Sequence, residues 1–492
     1  MKLHDKLPST AWTPLLGLFA AAALVGCAAG PDYREPAAPQ ASAYVRGEVV
    51  DTQAPPPARW WVAYGSERLN GLVERALQRN PGMAAAEANL RQAQENVNAQ
   101  RGLFYPSLQL GYNVSRQNSG AVLSSSLNSG QSLYNLHTAQ LNVGFVPDVF
   151  GGNRRQLESL QASEDSQRYQ NDALRTTIAS NVAAAVMQEL SLLEQLRILD
   201  ETLGLAREQL QHTRAQQQAG YSSGLDLAQQ EAAYAQVEAL LPPLNKQLEQ
   251  TRDLLSVLCG DLPSDWALTT GNTAATGISS LQLPQPLPQV LPSQLVRFRP
   301  DVQAAAAQLH AAYAGIGVSA SALLPQFSIG ANLSYSATAL STLFSPAQQS
   351  WNLVAGLTQP LFDGGTLRAR KRAAEAAAEA AQAQYQSTVL TAFQNVADTL
   401  YALEHDRRAL EAAERNVAAS ERLARLTEQQ FRLGYAGRPA WLAAQQALLQ
   451  ARVALVGARA TYLGDTVALY QALGGGWQLG AEAQAEPPST PR

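Results

Sequence analysis

The sequence predicts a mixed α/β membrane protein, internally duplicated, in which four short strands per chain contribute to a transmembrane β-barrel shared between copies. Three observations carry that expectation. The stretch Thr366 to Leu473 is helix-forming almost throughout, broken only at Gly434-Tyr435-Ala436-Gly437-Arg438-Pro439. A set of landmarks recurs in the same order in two halves of the chain. Four segments alternate apolar with small polar residues, and no second apolar run after the N-terminal one is long enough for a membrane helix.

The duplication is read from five matches. Asn80-Pro81 is echoed by Arg299-Pro300, Tyr105-Pro106 by Leu324-Pro325 and Phe150-Gly151-Gly152 by Phe362-Asp363-Gly364-Gly365. Ala219-Gly220-Tyr221 is echoed by Leu433-Gly434-Tyr435, and Leu258-Cys259-Gly260 by Ala472-Leu473-Gly474. Ordered matches of this kind indicate a repeat of one structural unit. The expected organisation is a signal peptide at 1–26, an extended N-terminal segment at 27–66, repeats at 67–260 and 293–475, a linker at 261–292 and a tail at 476–492.

In chain order, Lys2 and Lys6 precede an apolar run from Leu15 to Val25, which ends in Leu24-Val25-Gly26-Cys27. This is a three-part secretory signal, and its end is similar to the lipoprotein box. That resemblance implies a diacylglycerol and an N-acyl chain such as palmitate on Cys27. With Ala28 next, it also implies sorting to the outer membrane of a Gram-negative envelope. The remaining cysteine, Cys259, then has no intramolecular partner and reads as a small buried apolar residue.

Leu69, Leu72, Val73, Ala76 and Leu77 form one face of a first helix, which Asn80-Pro81 ends; a second runs to about Gly102. Leu108, Leu110, Tyr112 and Val114 alternate with Gln109, Gly111, Asn113 and Ser115, so Leu108 to Ser115 reads as a strand and Gln140 to Phe145 as its partner. Gln117 to Ser132 reads as a loop. Phe327 to Tyr335 and Trp351 to Leu357 repeat the pair. Four strands cannot close a barrel, and an open edge in lipid costs several kcal/mol for each unsatisfied backbone group. Three copies give twelve strands and room for a lumen, whereas two give a filled interior.

A long helix follows Gly152 to about Ala219, turns at Gly220-Tyr221-Ser222-Ser223-Gly224 and returns from Leu225 to Leu258, kinked at Pro242-Pro243. In the second half Thr366 to Leu433 contains no proline or glycine, a helix of roughly 100 Å. Trp441 to Leu473 folds back along it as an antiparallel hairpin.

Several function classes are excluded. A net charge of −4 with 15% charged residues offers no basic surface for nucleic acid. Gly220-Tyr221-Ser222-Ser223-Gly224 matches the G-x-S-x-G nucleophile pattern, yet it follows a helix instead of a strand, and its duplicate has no serine. His4, His137, His212, His310 and His405 lack ligand spacing, so no metal site and no catalytic residue is expected.

Gly30-Pro31-Asp32-Tyr33, Glu35-Pro36 and Arg59-Trp60-Trp61, taken with the ordered duplication, resemble the TolC-like outer-membrane efflux family in its lipoprotein branch, the OprM/NodT-like outer membrane factors. The resemblance covers nearly the whole mature chain. It implies a homotrimer whose twelve-stranded barrel continues as an α-helical coiled-coil tunnel across the periplasm. It also implies a periplasmic adaptor and an inner-membrane resistance-nodulation-division pump as partners, and outer-membrane lipid around the barrel. The periplasmic entrance and adaptor-docking tips would be Gly220, Tyr221 and Gly224 with Gly434, Tyr435, Gly437 and Arg438. Relatives often carry acidic gate residues after the second tip; here Ala436 and Ala443 stand in those places, which leaves Asp226 as gate candidate beside its plainer role as a helix N-terminal charge. A passive exit duct for drugs or other small solutes is the implied function. A lipid-anchored periplasmic scaffold and a type I secretion exit channel are the alternatives.

Overall fold

The computed structural model describes residues 28–37, 57–118, 133–265, 277–284, 287 and 299–476. The signal peptide, Cys27, the loop at 119–132, most of the 261–292 linker and the tail from 477 lie outside the described residues. The first half contains α1 (Glu67–Arg79), α2 (Pro81–Gly102), β1 (Ser107–Asn118), β2 (Leu133–Phe145), α3 (Gly152–Gln218), α4 (Gly224–Glu238) and α5 (Leu241–Leu258). The second contains α6 (Pro300–Ser321), β3 (Gln326–Ala337), β4 (Gln349–Thr358), α7 (Thr366–Arg432) and α8 (Arg438–Ala472).

From the helix before each strand pair to the long helix after it, the halves match element by element. Helices α2 and α6 each have 22 residues, and α3 and α7 each have 67. Even the end contacts repeat: Asn80 Nδ2 donates to the Leu258 carbonyl at 2.9 Å, and Arg299 Nη1 donates to the Ala472 carbonyl at 3.0 Å. In each half, the side chain before a helix-opening proline satisfies an orphan carbonyl at the last helix end. The long helices are also capped alike. Asp148 accepts from Asn153 and Arg154 N–H at the start of α3, and Asp363 accepts from Gly365 and Leu367 N–H at the start of α7. Those backbone donors hold the Asp363 carboxyl below its ordinary range.

The chain divides into two compact units, the first made of Met1–Pro36, Asn89–Gln167 and Ala305–Tyr385. It holds one antiparallel sheet in the order β1-β2-β3-β4. Register places Leu110, Leu141, Leu333 and Trp351 in one row, with Leu108, Val143, Ala331 and Leu353 in the next. The opposite face carries Gln109, Asn142, Asn332 and Asn352 in one row, and Asn332 donates to Asn142 at 2.5 Å. Since directly paired residues share a face, all four strands agree on one apolar and one polar face. The apolar face is bare within the chain: Leu110 is 83% and Trp351 76% exposed.

The strands run longer than the alternation suggests. Gln117 and Asn118, expected in the loop, pair with Tyr134 and Leu133, and β2 begins seven residues before Gln140. Backbone pairing continues past the apolar band because each added residue completes a ladder whatever its side chain.

The second unit comprises Ala37–Ala88, Arg168–Ala304 and Gln386–Arg492. Its core gathers Trp60, Trp61 and Tyr64 against α8: Trp60 stacks on Tyr470 at 5.1 Å, and Tyr64 Oη lies 2.7 Å from Thr466 Oγ1. Ser66 caps α1 by accepting from Leu69 N–H, and Leu69, Leu72, Val73 and Ala76 turn inward. Glu189 on α3 is fully buried, accepting from Arg68 at 2.6 Å and Arg252 at 3.3 Å, which ties the first and last helices of the first repeat to α3. Cys259 is buried and free, and burial pushes its thiol up to about 11.

Two expectations are corrected here. The return of the first hairpin is two helices, interrupted at Ala239-Leu240, instead of one kinked helix. Pro242 and Pro243 occupy the first turn of α5, where their missing N–H groups leave the carbonyls of Glu238 and Ala239 without helical donors. In the second hairpin Arg438 and Pro439 belong to α8, so the turn ends at Gly437 and the return helix starts before Trp441.

Asp406 on α7 and Asp465 on α8 face one another, and burial together with Asp406 pushes the Asp465 carboxyl up to about 6. A carboxyl whose folded pKa is raised lends stability below the ordinary carboxylate range and loses it as pH climbs through about 6. Asp406→Asn is therefore expected to raise Tm at pH 7.5 by about 2 °C, after discounting roughly half the shift to solvent screening. At pH 4 the substitution should change Tm little; equal shifts at both pH values would contradict the pairing.

Candidate functional site: the two hairpin tips

Both tips belong to the second unit and are built to one plan. Helix α3 ends when Gly220 turns left-handed at φ +80°, and α7 ends when Gly434 does so at φ +79°. Tyr221 N–H then reaches back to Gln216 O at 2.8 Å, and Tyr435 N–H to Gln430 O at 2.8 Å. This six-to-one closure needs a residue free of Cβ penalty at the reversal, which explains the glycine in each half. Each closure displays a tyrosine outward: Tyr221 is 87% and Tyr435 84% exposed. Leu225 and Leu433 are exposed beside them, so each tip presents an aromatic and an aliphatic side chain.

The return helices start differently. Ser223 caps α4 by accepting from Asp226 N–H at 3.1 Å, while Asp226 accepts from Ser223 N–H at 3.0 Å, a complete capping box. Asp226 accepts from the Ser223 hydroxyl at 2.7 Å and the Ser222 hydroxyl at 3.3 Å as well, and these bonds, Ser223 first, hold its carboxyl below the ordinary range. Ser222, the serine of the G-x-S-x-G pattern, thus serves the turn. Gly224 is the first residue of α4. Gly437 caps α8 with backbone alone, ahead of Pro439.

Arg438 joins the two hairpins. Its Nη1 donates to Thr213 Oγ1 and its Nη2 to Gln216 Oε1 at 3.3 Å, both on the last turns of α3. The guanidinium also lies 5.9 Å from the Phe431 ring centroid, and Phe431 stacks on Trp441 at 5.5 Å. Thr213 is buried and its hydroxyl is positioned by the Gln209 carbonyl at 2.9 Å, so the acceptor of this tie is fixed in place. Sequence alone singled out Arg438 and missed Thr213, Gln216, Phe431 and Trp441. Thr213 and Gln216 lie more than 200 positions from Arg438 and leave no local pattern, whereas Phe431 and Trp441 flank the turn within ten residues and their stacking could have been read from it.

Among the described residues no group of three or more His, Cys, Asp and Glu could hold a metal ion. No helix among them is long and apolar enough to cross a membrane. The tips present exposed Tyr221, Leu225, Leu433 and Tyr435 and one cationic tie between the hairpins.

Comparison with known proteins agrees with this architecture. The family described as Outer membrane efflux protein matches residues 72–261 and 291–475, one stretch in each half. The chain is 33% identical over 433 residues to the pyoverdine export outer membrane protein OpmQ of Pseudomonas putida, spanning 87% of this chain and 90% of that one. It is 30% identical over 482 residues to the toluene efflux pump outer membrane protein TtgC of Pseudomonas putida, spanning 95% and 97%. Among solved structures, the outer-membrane channel OprN superposes with a TM-score of 0.81 at 27% identity, over 92% of this chain and 100% of that one.

Proposed function

The chain belongs to the outer membrane efflux protein family, non-enzymatic outer-membrane channels of tripartite efflux systems in Gram-negative bacteria, and on that premise we propose that it is a homotrimeric, lipid-anchored exit duct. The observation that carries the trimer is the sheet: four strands in register, one face apolar and bare, with β1 and β4 at open edges. Pairing β4 of one copy with β1 of the next in a closed ring removes every edge, and a ring of three is wide enough for a lumen lined by the Gln109, Asn142, Asn332 and Asn352 row. A periplasmic scaffold would leave the row from Leu110 to Trp351 in water, which disfavours that alternative. The relatives' names concern export of pyoverdine and efflux of toluene, which favours efflux over protein secretion.

A periplasmic adaptor docks on the tips through Tyr221, Leu225, Leu433 and Tyr435, and an inner-membrane pump of the resistance-nodulation-division type supplies the energy. The duct accepts what the pump delivers, so drugs and other small solutes are its cargo class. Cys27 carries the acyl anchor. Arg438 latches the closed entrance, and Asp226, committed to its capping box, acts at the gate only by favouring the guanidinium nearby.

Native mass spectrometry of the detergent-extracted mature protein tests the assembly. Three chains, each with lipid on Cys27, are expected. A stable monomer would overturn the shared barrel.

A further inference from the structure

The first unit contains a cavity of about 410 Å³ at the helix-proximal end of the sheet, lined by Leu103, Val146, Val149, Phe150, Val318 and Phe327 among others. Its apolar mouth is uncovered: Leu103 is 55% and Val146 51% exposed. Phe327 belongs to the apolar face of β3, in register with Leu357, and Phe150 packs on it at 6.3 Å. The cavity therefore continues the apolar face of the sheet.

The start of the described chain is pinned beside it. Ala29 N–H donates to Phe150 O at 3.0 Å. A Cβ on Gly151 would sit 2.8 Å from Ala28 Cα, and one on Gly317 would sit 2.7 Å from the Ala29 carbonyl oxygen. Only glycines admit a backbone so close. Arg155 locks the segment further, donating to Ala29 O at 3.2 Å and to Asp32 at 2.5 Å, and Tyr33 stacks on His310 at 4.4 Å. Cys27 is the next residue back, and consecutive Cα atoms lie about 3.8 Å apart. Ala28, the residue after Cys27, thus lies against Gly151, between Phe150 and Gly152 of the cavity wall.

We propose that one acyl chain of the Cys27 lipid lies in this cavity, so that the anchor is seated on the protein and is no free leash in the bilayer. The proposal rests on the lipoprotein reading of Cys27. A methylene occupies roughly the room of a liquid water, about 30 Å³, so the cavity holds on the order of a dozen carbons, part of one chain. The polar wall made by Gln100, Asp148, Asn153 and Gln326 suits the ester or amide end. Tethering supplies a high local concentration, which lets this chain outcompete free lipid for the groove.

Cells expressing the full chain can be fed a diazirine-bearing palmitic acid analogue, and the purified protein irradiated and digested for mass spectrometry. Cross-links are expected in peptides containing Val146 to Phe150 or Val318 to Phe327. Ala322→Phe, which fills the cavity from its wall, should cut their yield several-fold while the mass of the assembled protein is unchanged. Acylated Cys27 with cross-links only to phospholipid, or only to peptides away from the cavity, overturns the seat alone; a cavity closed by a neighbouring copy would give that result. An unmodified Cys27 in the same spectra overturns the lipoprotein reading beneath it.

Discussion

Leu110→Arg is expected to abolish assembled channels in the outer membrane, while Asn352→Arg leaves them assembled. Leu110 stands in the middle apolar row with Leu141, Leu333 and Trp351. An arginine at the midplane of a lipid-facing barrel position costs about 2–4 kcal/mol. In a trimer that cost enters three times, about 6–12 kcal/mol, which is comparable to the whole stability of an ordinary fold. Asn352 lies on the polar face opposite Asn332, where an added cation meets water and changes only the selectivity of the lumen. Extraction of outer membranes followed by unheated gel electrophoresis gives the readout. Equal assembly of both variants would mean that the apolar face does not meet lipid.

Arg438→Ala should open the resting entrance. The guanidinium makes the bonds to Thr213 and Gln216 that join the second tip to α3. A charge-assisted hydrogen bond is worth about 1.5–3 kcal/mol, and the partial exposure of Arg438 reduces that to roughly 1.4 kcal/mol, a tenfold shift in the closed-to-open ratio. Purified protein in planar bilayers should show about a tenfold rise in mean conductance. Arg438→Lys keeps the charge but cannot reach both acceptors from one planar fork, and should fall between. Asp226→Asn should move conductance far less, because its carboxylate is spent on Ser222 and Ser223 within its own turn. Unchanged conductance in Arg438→Ala would leave the tie as a structural contact without a gating role.

Much of this protein is legible in its sequence. Periods of two and 3.6 are local, so the strands around Leu108, Gln140, Phe327 and Trp351 and the 67-residue helices could be read directly, as could the tip glycines that only a left-handed turn requires. The duplication was equally plain, since Pro and Gly recur in the same order in both halves. The outer limits of β1 and β2 were not legible, because ladder bonds at Gln117 and Asn118 depend on a partner strand and not on the residue itself. The two-helix return of the first hairpin was missed because a proline pair kinks a helix or starts a new one, and packing chooses. Tertiary structure alone decided that Arg438 meets Thr213, that Glu189 is held between Arg68 and Arg252, and that the chain beside Cys27 is pinned against Gly151. Each of these joins residues far apart in sequence, so its energy depends on distances that only the folded chain sets.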